Sequence, residues 1–182
     1  GPPVLLTVLA EEADAPWTPG RHGFCVDKHP YEKICLPNYL LDSASEFRQA
    51  VRHEYAHVVS LNWAQAKCPR WLDEAIALTM GGELDARARQ HFVATPDDWL
   101  AWRELDEAFL EDRKAQLGQR MVWLAYQQSA LIGRHLAQAH GESSLGKLLR
   151  RMARLGLWDV LQAAFLEQPP GARGIRDVYG IS

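Results

Sequence analysis

The sequence predicts an α+β protein that is mainly helical, and three observations carry that prediction. Extended patterns end before Ser43, helical periodicity with matched starts and stops occupies most of the chain beyond it, and 47% hydrophobic against 24% charged residues in 182 suits a chain that buries one core. A single domain over 1–182 is expected. Within it, "GPP" at 1–3 has the look of a tag remnant, and 168–182 is a loose tail or a docking segment. Further domains and the compartment stay open.

"VLLTVLA" from Val4 reads as a short buried strand, and "GFCV" with "KICLP" as a strand pair around the turn-forming "DKHPYE". Cys25 and Cys35 fall across that hairpin, as a disulfide or as two buried thiols. With Cys68 they form an odd set without CxxC spacing, so no cysteine-based zinc knuckle is expected.

"SASE", Ser43 to Glu46, is a capping-box pattern that starts a helix through "EFRQAVRHEYAHVVSLNW". Phe47, Ala50, Val51, Val58 and Leu61 give this helix its core stripe. Pro69 opens a second helix, "RWLDEAIALTM", which Gly81 and Gly82 close. A third spans Leu84 to Phe92 and ends at "ATPDD", after which "WLAWRELDEAF" starts another. The longest, "RMVWLAYQQSALIGRHLAQAHG", stops at Gly141. "SSLGKLLRRMARLG" and "LWDVLQAAFLEQ" complete a C-terminal bundle, with Trp71, Trp123 and Trp158 on apolar stripes.

A net charge of −3 offers no broad basic face, so no nucleic-acid partner is expected. The basic run from Lys147 has Leu148, Leu149, Met152 and Leu155 at helical spacing beneath it, and reads as a solvated helix face. No stretch approaches the ~20 apolar residues that span a bilayer, so no membrane insertion is expected.

Chemistry concentrates in "VRHEYAHVVS". His53 and His57 stand four apart, so on a helix both imidazoles reach one ion, while Glu54, about 100° around, can reach a water beside it. With 7 His and 12 Glu in the chain, roughly 0.02 chance matches to HExxH are expected. A catalytic zinc needs a third protein ligand. The positions after His57 read "VVSLNWAQAK", which rules out HExxHxxGxxH.

The following "RWLDEAIA" resembles the gluzincin metallopeptidases of the MA clan, in particular the small peptidase MA-like domains, in which a helix bearing WLxEGxA follows HExxH. The resemblance implies that Glu74, 17 residues after His57, is the third ligand, with Ala75 where the family has Gly. Asp73 competes by residue type but points about 100° away along the helix. "AYQQSALIGRHLAQAHG" is similar to the family's next helix, whose Tyr donates to the oxyanion; Tyr126 takes that position, and the alternative for it is a buried core aromatic. His135 and His140 are read as polar-face or capping residues. The resemblance further implies a zincin-like domain and makes "KICLP" the edge strand bordering the cleft, open to an extended peptide. No GxMEN segment accompanies it, which favours an endopeptidase over an exopeptidase.

The expectation is therefore a zinc metallopeptidase with one Zn²⁺ per chain on His53, His57 and Glu74. Glu54 would activate the zinc-bound water, Tyr126 would stabilise the oxyanion, and a peptide or protein would be the substrate. The alternative is a zincin-like binding module with little or no activity, which a fourth protein ligand such as Cys68 would favour.

Overall fold

The computed structural model describes residues 4–9, 24–26, 32–65, 67–110 and 116–155, together with positions 175, 178 and 179. Three strands, β1 (Val4–Leu9), β2 (Phe24–Val26) and β3 (Glu32–Pro37), form one sheet in the order β1-β3-β2. β1 runs parallel to β3, pairing Val4 with Glu32 and Leu9 with Pro37, while β2 runs antiparallel and pairs Phe24 with Cys35.

Two expectations are corrected here. "KICLP" is the central strand with partners on both sides, so it offers no free edge over residues 33–35. β1 is an outer strand rather than a buried one, and Leu5, Leu6 and Val8 are exposed. β3 draws its strong apolar pattern from lying at the centre, with Ile34, Cys35 and Leu36 all buried. The register sets Cys25 opposite Ile34, and Cys35 is a free, buried thiol.

A 3-10 turn (Asn38–Asp42) leads into α1 (Ala44–Ala64). The hydroxyl of Ser43 accepts from the Glu46 amide at 3.4 Å, so the cap read from "SASE" is in place. The helix ends on Gln65 in the left-handed region, φ 51°. α2 (Arg70–Gly81) comes next, closed by Gly82 at φ 74°, a conformation that costs glycine nothing.

α3 (Ala88–Ala94) starts four residues later than the periodicity predicts, because Asp85 turns its carboxylate onto the Arg87 amide at 2.8 Å and holds the chain in a turn. α4 (Trp102–Glu107), α5 (Gln119–His140) and α6 (Ser143–Ala153) complete the helices among the described residues. The expected helix "LWDVLQAAFLEQ" and most of "DKHPYE" lie outside the described residues. In the expected tail, Ile175, Val178 and Tyr179 pack against the core, and the Tyr179 hydroxyl lies 3.2 Å from Ser144 Oγ.

Two cores flank α1. Ala50 and Val58 join Ile34, Leu36 and Leu40 under the sheet. Ala56 and Ala64 face the larger core of Trp71, Leu72, Ile76, Leu105, Leu148 and Met152. Each large side chain fully buried there contributes about 1.5–3 kcal/mol, enough to hold α1 and α2 in fixed register. Leu148, Leu149, Met152 and Leu155 are buried beneath the basic run, and Arg150 stacks over the Trp63 ring at 4.6 Å. α2 and α5 cross in close contact: a Cβ on Gly133 would collide with the Ala75 carbonyl and stand 2.6 Å from Thr79 Oγ1. No helix among the described residues is long and apolar enough to cross a membrane.

Candidate metal centre

The seam between the two cores is where α1 presents His53 and His57. One turn apart, their Nε2 atoms stand 3.2 Å from each other with the rings tilted at 71°. α2 supplies the third group. The Pro69 carbonyl accepts from the Leu72 and Asp73 amides to start that helix, and Trp71 and Leu72 bury its inner face. This fixes Glu74 toward α1, with Oε2 3.8 Å from His53 Nε2 and 3.9 Å from His57 Nε2.

Three atoms so placed form a triangle whose centre lies about 2.1 Å from each, within the ~2.0–2.2 Å of zinc–nitrogen and zinc–oxygen bonds. Glu74 Oε2 is also buried without a hydrogen-bond partner. A buried carboxylate oxygen is rarely left so, and a cation at the centre would satisfy it. His53, His57 and Glu74 are therefore a group that could hold a metal ion, and among the described residues they are the only such group. Two imidazoles and one carboxylate leave a fourth position free on a tetrahedral ion.

The far side of each imidazole is held by an acid. His53 Nδ1 lies 2.8 Å from Glu83 Oε1, and His57 Nδ1 lies 2.9 Å from Asp73 Oδ2. A proton on each Nδ1, donated to these carboxylates, leaves each Nε2 lone pair aimed at the centre. Asp73 is thus a partner of a ligand rather than a ligand. Its other oxygen accepts from the hydroxyl of the fully buried Ser60. Glu83 reaches His53 because α2 stops at Gly82 and the chain folds back, the Glu83 amide donating to the Leu78 carbonyl at 3.0 Å. Gly81 leaves the space, since a Cβ there would fall on Glu83 Oε1.

Electrostatics arise from this packing. Burial disfavours a charge on His57, but the hydrogen bond and charge of Asp73, with Glu74 and Glu54 behind it, override burial and push its pKa up to about 9. Burial likewise opposes the charge on His53, and Glu83 outweighs it to raise the pKa.

Glu54 is buried on α1, and its charge acts on both His57 and Cys35, so it lies between the triad and β3. Tyr126 packs edge-on against Phe109, with centroids 5.1 Å apart, at the margin of the main core. His135 is exposed, and the His140 ring lies tilted against Tyr179 with centroids 4.5 Å apart. Cys68 is outside the ligand group; burial, with Asp73 and Asp106 nearby, pushes its thiol well above the usual range.

The sequence pattern does not disclose the role of Asp73, nor that of Glu83, Ser60 or Gly81. "WLDE" and "GGE" are the available signals, but each reads locally as a helix start or stop. Comparison of the chain with protein-family models, with curated proteins and with solved structures gives no match.

Proposed function

We propose that the chain is a zinc-dependent metallopeptidase of gluzincin type with a zincin-like domain, and that one zinc binds to His53, His57 and Glu74. The observation that carries this reading is the partnerless, buried Glu74 Oε2 facing two imidazole Nε2 atoms whose opposite nitrogens are held by Glu83 and Asp73. Zinc would supply Lewis acidity toward a peptide carbonyl and lower the pKa of water to about 7.

The remaining work falls to side chains. Glu54, shielded from solvent beside the triad, takes the proton from the attacking water and returns it to the leaving amine. The Tyr126 phenol donates to the carbonyl oxygen as charge develops there, a contribution of about 3 kcal/mol where such donors have been removed. Asp73 and Glu83 keep both imidazoles oriented through the cycle. A peptide or protein is the substrate.

The test is hydrolysis of a mixed peptide library by the zinc-loaded protein and by Glu54→Gln. Cleavage by the parent, with zinc retained and cleavage lost in Glu54→Gln, is the expected result. Equal cleavage by both would remove Glu54 from the mechanism.

A further inference from the structure

Away from the triad, a cavity of about 510 Å³ opens between α3, the segment before α4, and α5. Leu84, Phe92 and Trp99 give it an apolar wall, while Arg89, Arg134 and His135 stand at its rim. Phe92 is buried against the half-exposed Trp99, with ring centroids 4.6 Å apart.

Both walls are clipped to α5 by consecutive glutamines. Buried Gln127 accepts from the Asp85 amide at 2.9 Å and so fixes the Leu84 side. Buried Gln128 accepts from the Leu100 amide at 2.8 Å and donates to the Leu100 carbonyl at 3.0 Å, fixing the Trp99 side. Asp98, next to Trp99, is gripped by Arg120 at 2.7 Å and by His91 at 2.7 Å. Seven residues after each glutamine, two helical turns on and on the same faces of α5, come Arg134 and His135. The cavity is preformed rather than assembled around a ligand.

Its charge is unbalanced. Asp85 is the one acid lining it, and that carboxylate is engaged by the Arg87 amide. Among the described residues, neither Arg89 nor Arg134 has an ion-pair partner. Two guanidiniums against one carboxylate leave the cavity net positive beside an aromatic wall, which complements a carboxylate carried next to an apolar side chain.

We infer that this cavity is a binding site for a peptide segment that presents a carboxylate beside an apolar side chain, with Arg134 and Arg89 taking the carboxylate and Phe92, Trp99 and Leu84 the apolar group. The carboxylate can be a chain terminus or an Asp or Glu side chain; the chemistry at the arginines is the same. Leu84 directly follows Glu83, so the cavity starts one residue from the support of His53, but binding there needs no metal.

Isothermal titration on the whole chain in the presence of EDTA tests this separately from the metal reading. The probes are acetyl-Gly-Gly-Leu-Phe with a free carboxylate, the same peptide as its amide, and acetyl-Gly-Glu-Leu-Phe-Gly amide. Saturable binding of at least one carboxylate peptide is expected, about tenfold or more tighter than the neutral amide, and whichever one binds identifies the source of the carboxylate. Arg134→Gln, at an exposed position, should weaken it about fivefold or more, with Arg134→Lys in between because it keeps the charge but not the fork. No saturable binding of either carboxylate peptide at about 1 mM, equal binding of the amide, or unchanged affinity in Arg134→Gln would overturn the inference.

Discussion

His57 Nδ1 lies 2.9 Å from the carboxylate of Asp73, the residue immediately before Glu74. Two neighbours on α2 thus act on the same imidazole from opposite sides, Asp73 on Nδ1 and Glu74 toward Nε2. Consecutive side chains on a helix diverge by about 100°, and that divergence lets one carboxylate orient the ring while the other faces the centre.

Asp73→Ala should weaken zinc binding about 10- to 100-fold, the usual cost of losing the hydrogen-bond partner of a ligating histidine. Asp73→Asn retains an acceptor and should lose less. Chelator-competition titrations measure both, and unchanged affinity in Asp73→Ala would remove the orienting role.

Gly81→Ala should weaken zinc binding by displacing the Glu83 carboxylate from His53 Nδ1, since the added methyl occupies the place of Glu83 Oε1. The obstructing atom is the end of a flexible side chain, so thermal stability should change little. Zinc affinity equal to that of the parent would contradict the account of Glu83.

Metal uptake should depend on pH. In the metal-free protein the folded pKa of His57, about 9, exceeds its ordinary value of 6.5. Protonated His57 therefore stabilises the metal-free fold fully below about pH 6.5, and that contribution is lost as pH rises through about 9. A cation must displace the same proton, so apparent zinc affinity should rise by about tenfold per pH unit between 6.5 and 9, with proton release on binding. Titrations in buffers of different ionisation enthalpy check this; affinity independent of pH would refute it.

Gly133→Ala should destabilise the fold. The added methyl meets backbone and Thr79 at the α2–α5 crossing, at a cost of about 1–3 kcal/mol, against about 1 kcal/mol gained in helix propensity. Tm should fall, and zinc affinity with it, because Glu74 precedes the displaced Ala75 carbonyl. An unchanged or higher Tm would show that the crossing is looser than its geometry indicates.

The parts of the structure written in local patterns were legible in the sequence. The Ser43 cap, the glycine stops at Gly82 and Gly141, and the buried stripe under Lys147 each depend on residues within a turn or two, and each is present in the fold. The mainly helical class and the pairing of His53 with His57 come from the same kind of signal, whereas Glu74 is expected in the group only through the resemblance of "RWLDEAIA" to a known ligand helix. The hidden part depends on tertiary crossings. Nothing local tells that "KICLP" collects a strand on each side, that Asp73 turns back to α1, or that Glu83 returns over a glycine to His53. The late start of α3 escapes the sequence pattern because Asp85 caps a turn that hydrophobic periodicity does not register.

Elemental analysis of protein purified without chelator, with His57→Ala as control, tests the central claim most directly. About one zinc per chain in the parent, lost in His57→Ala while the helical content is unchanged, is the predicted result. A parent without zinc, even after zinc is supplied at neutral pH, would contradict the metal centre and leave "HEYAH" as a structural segment of α1.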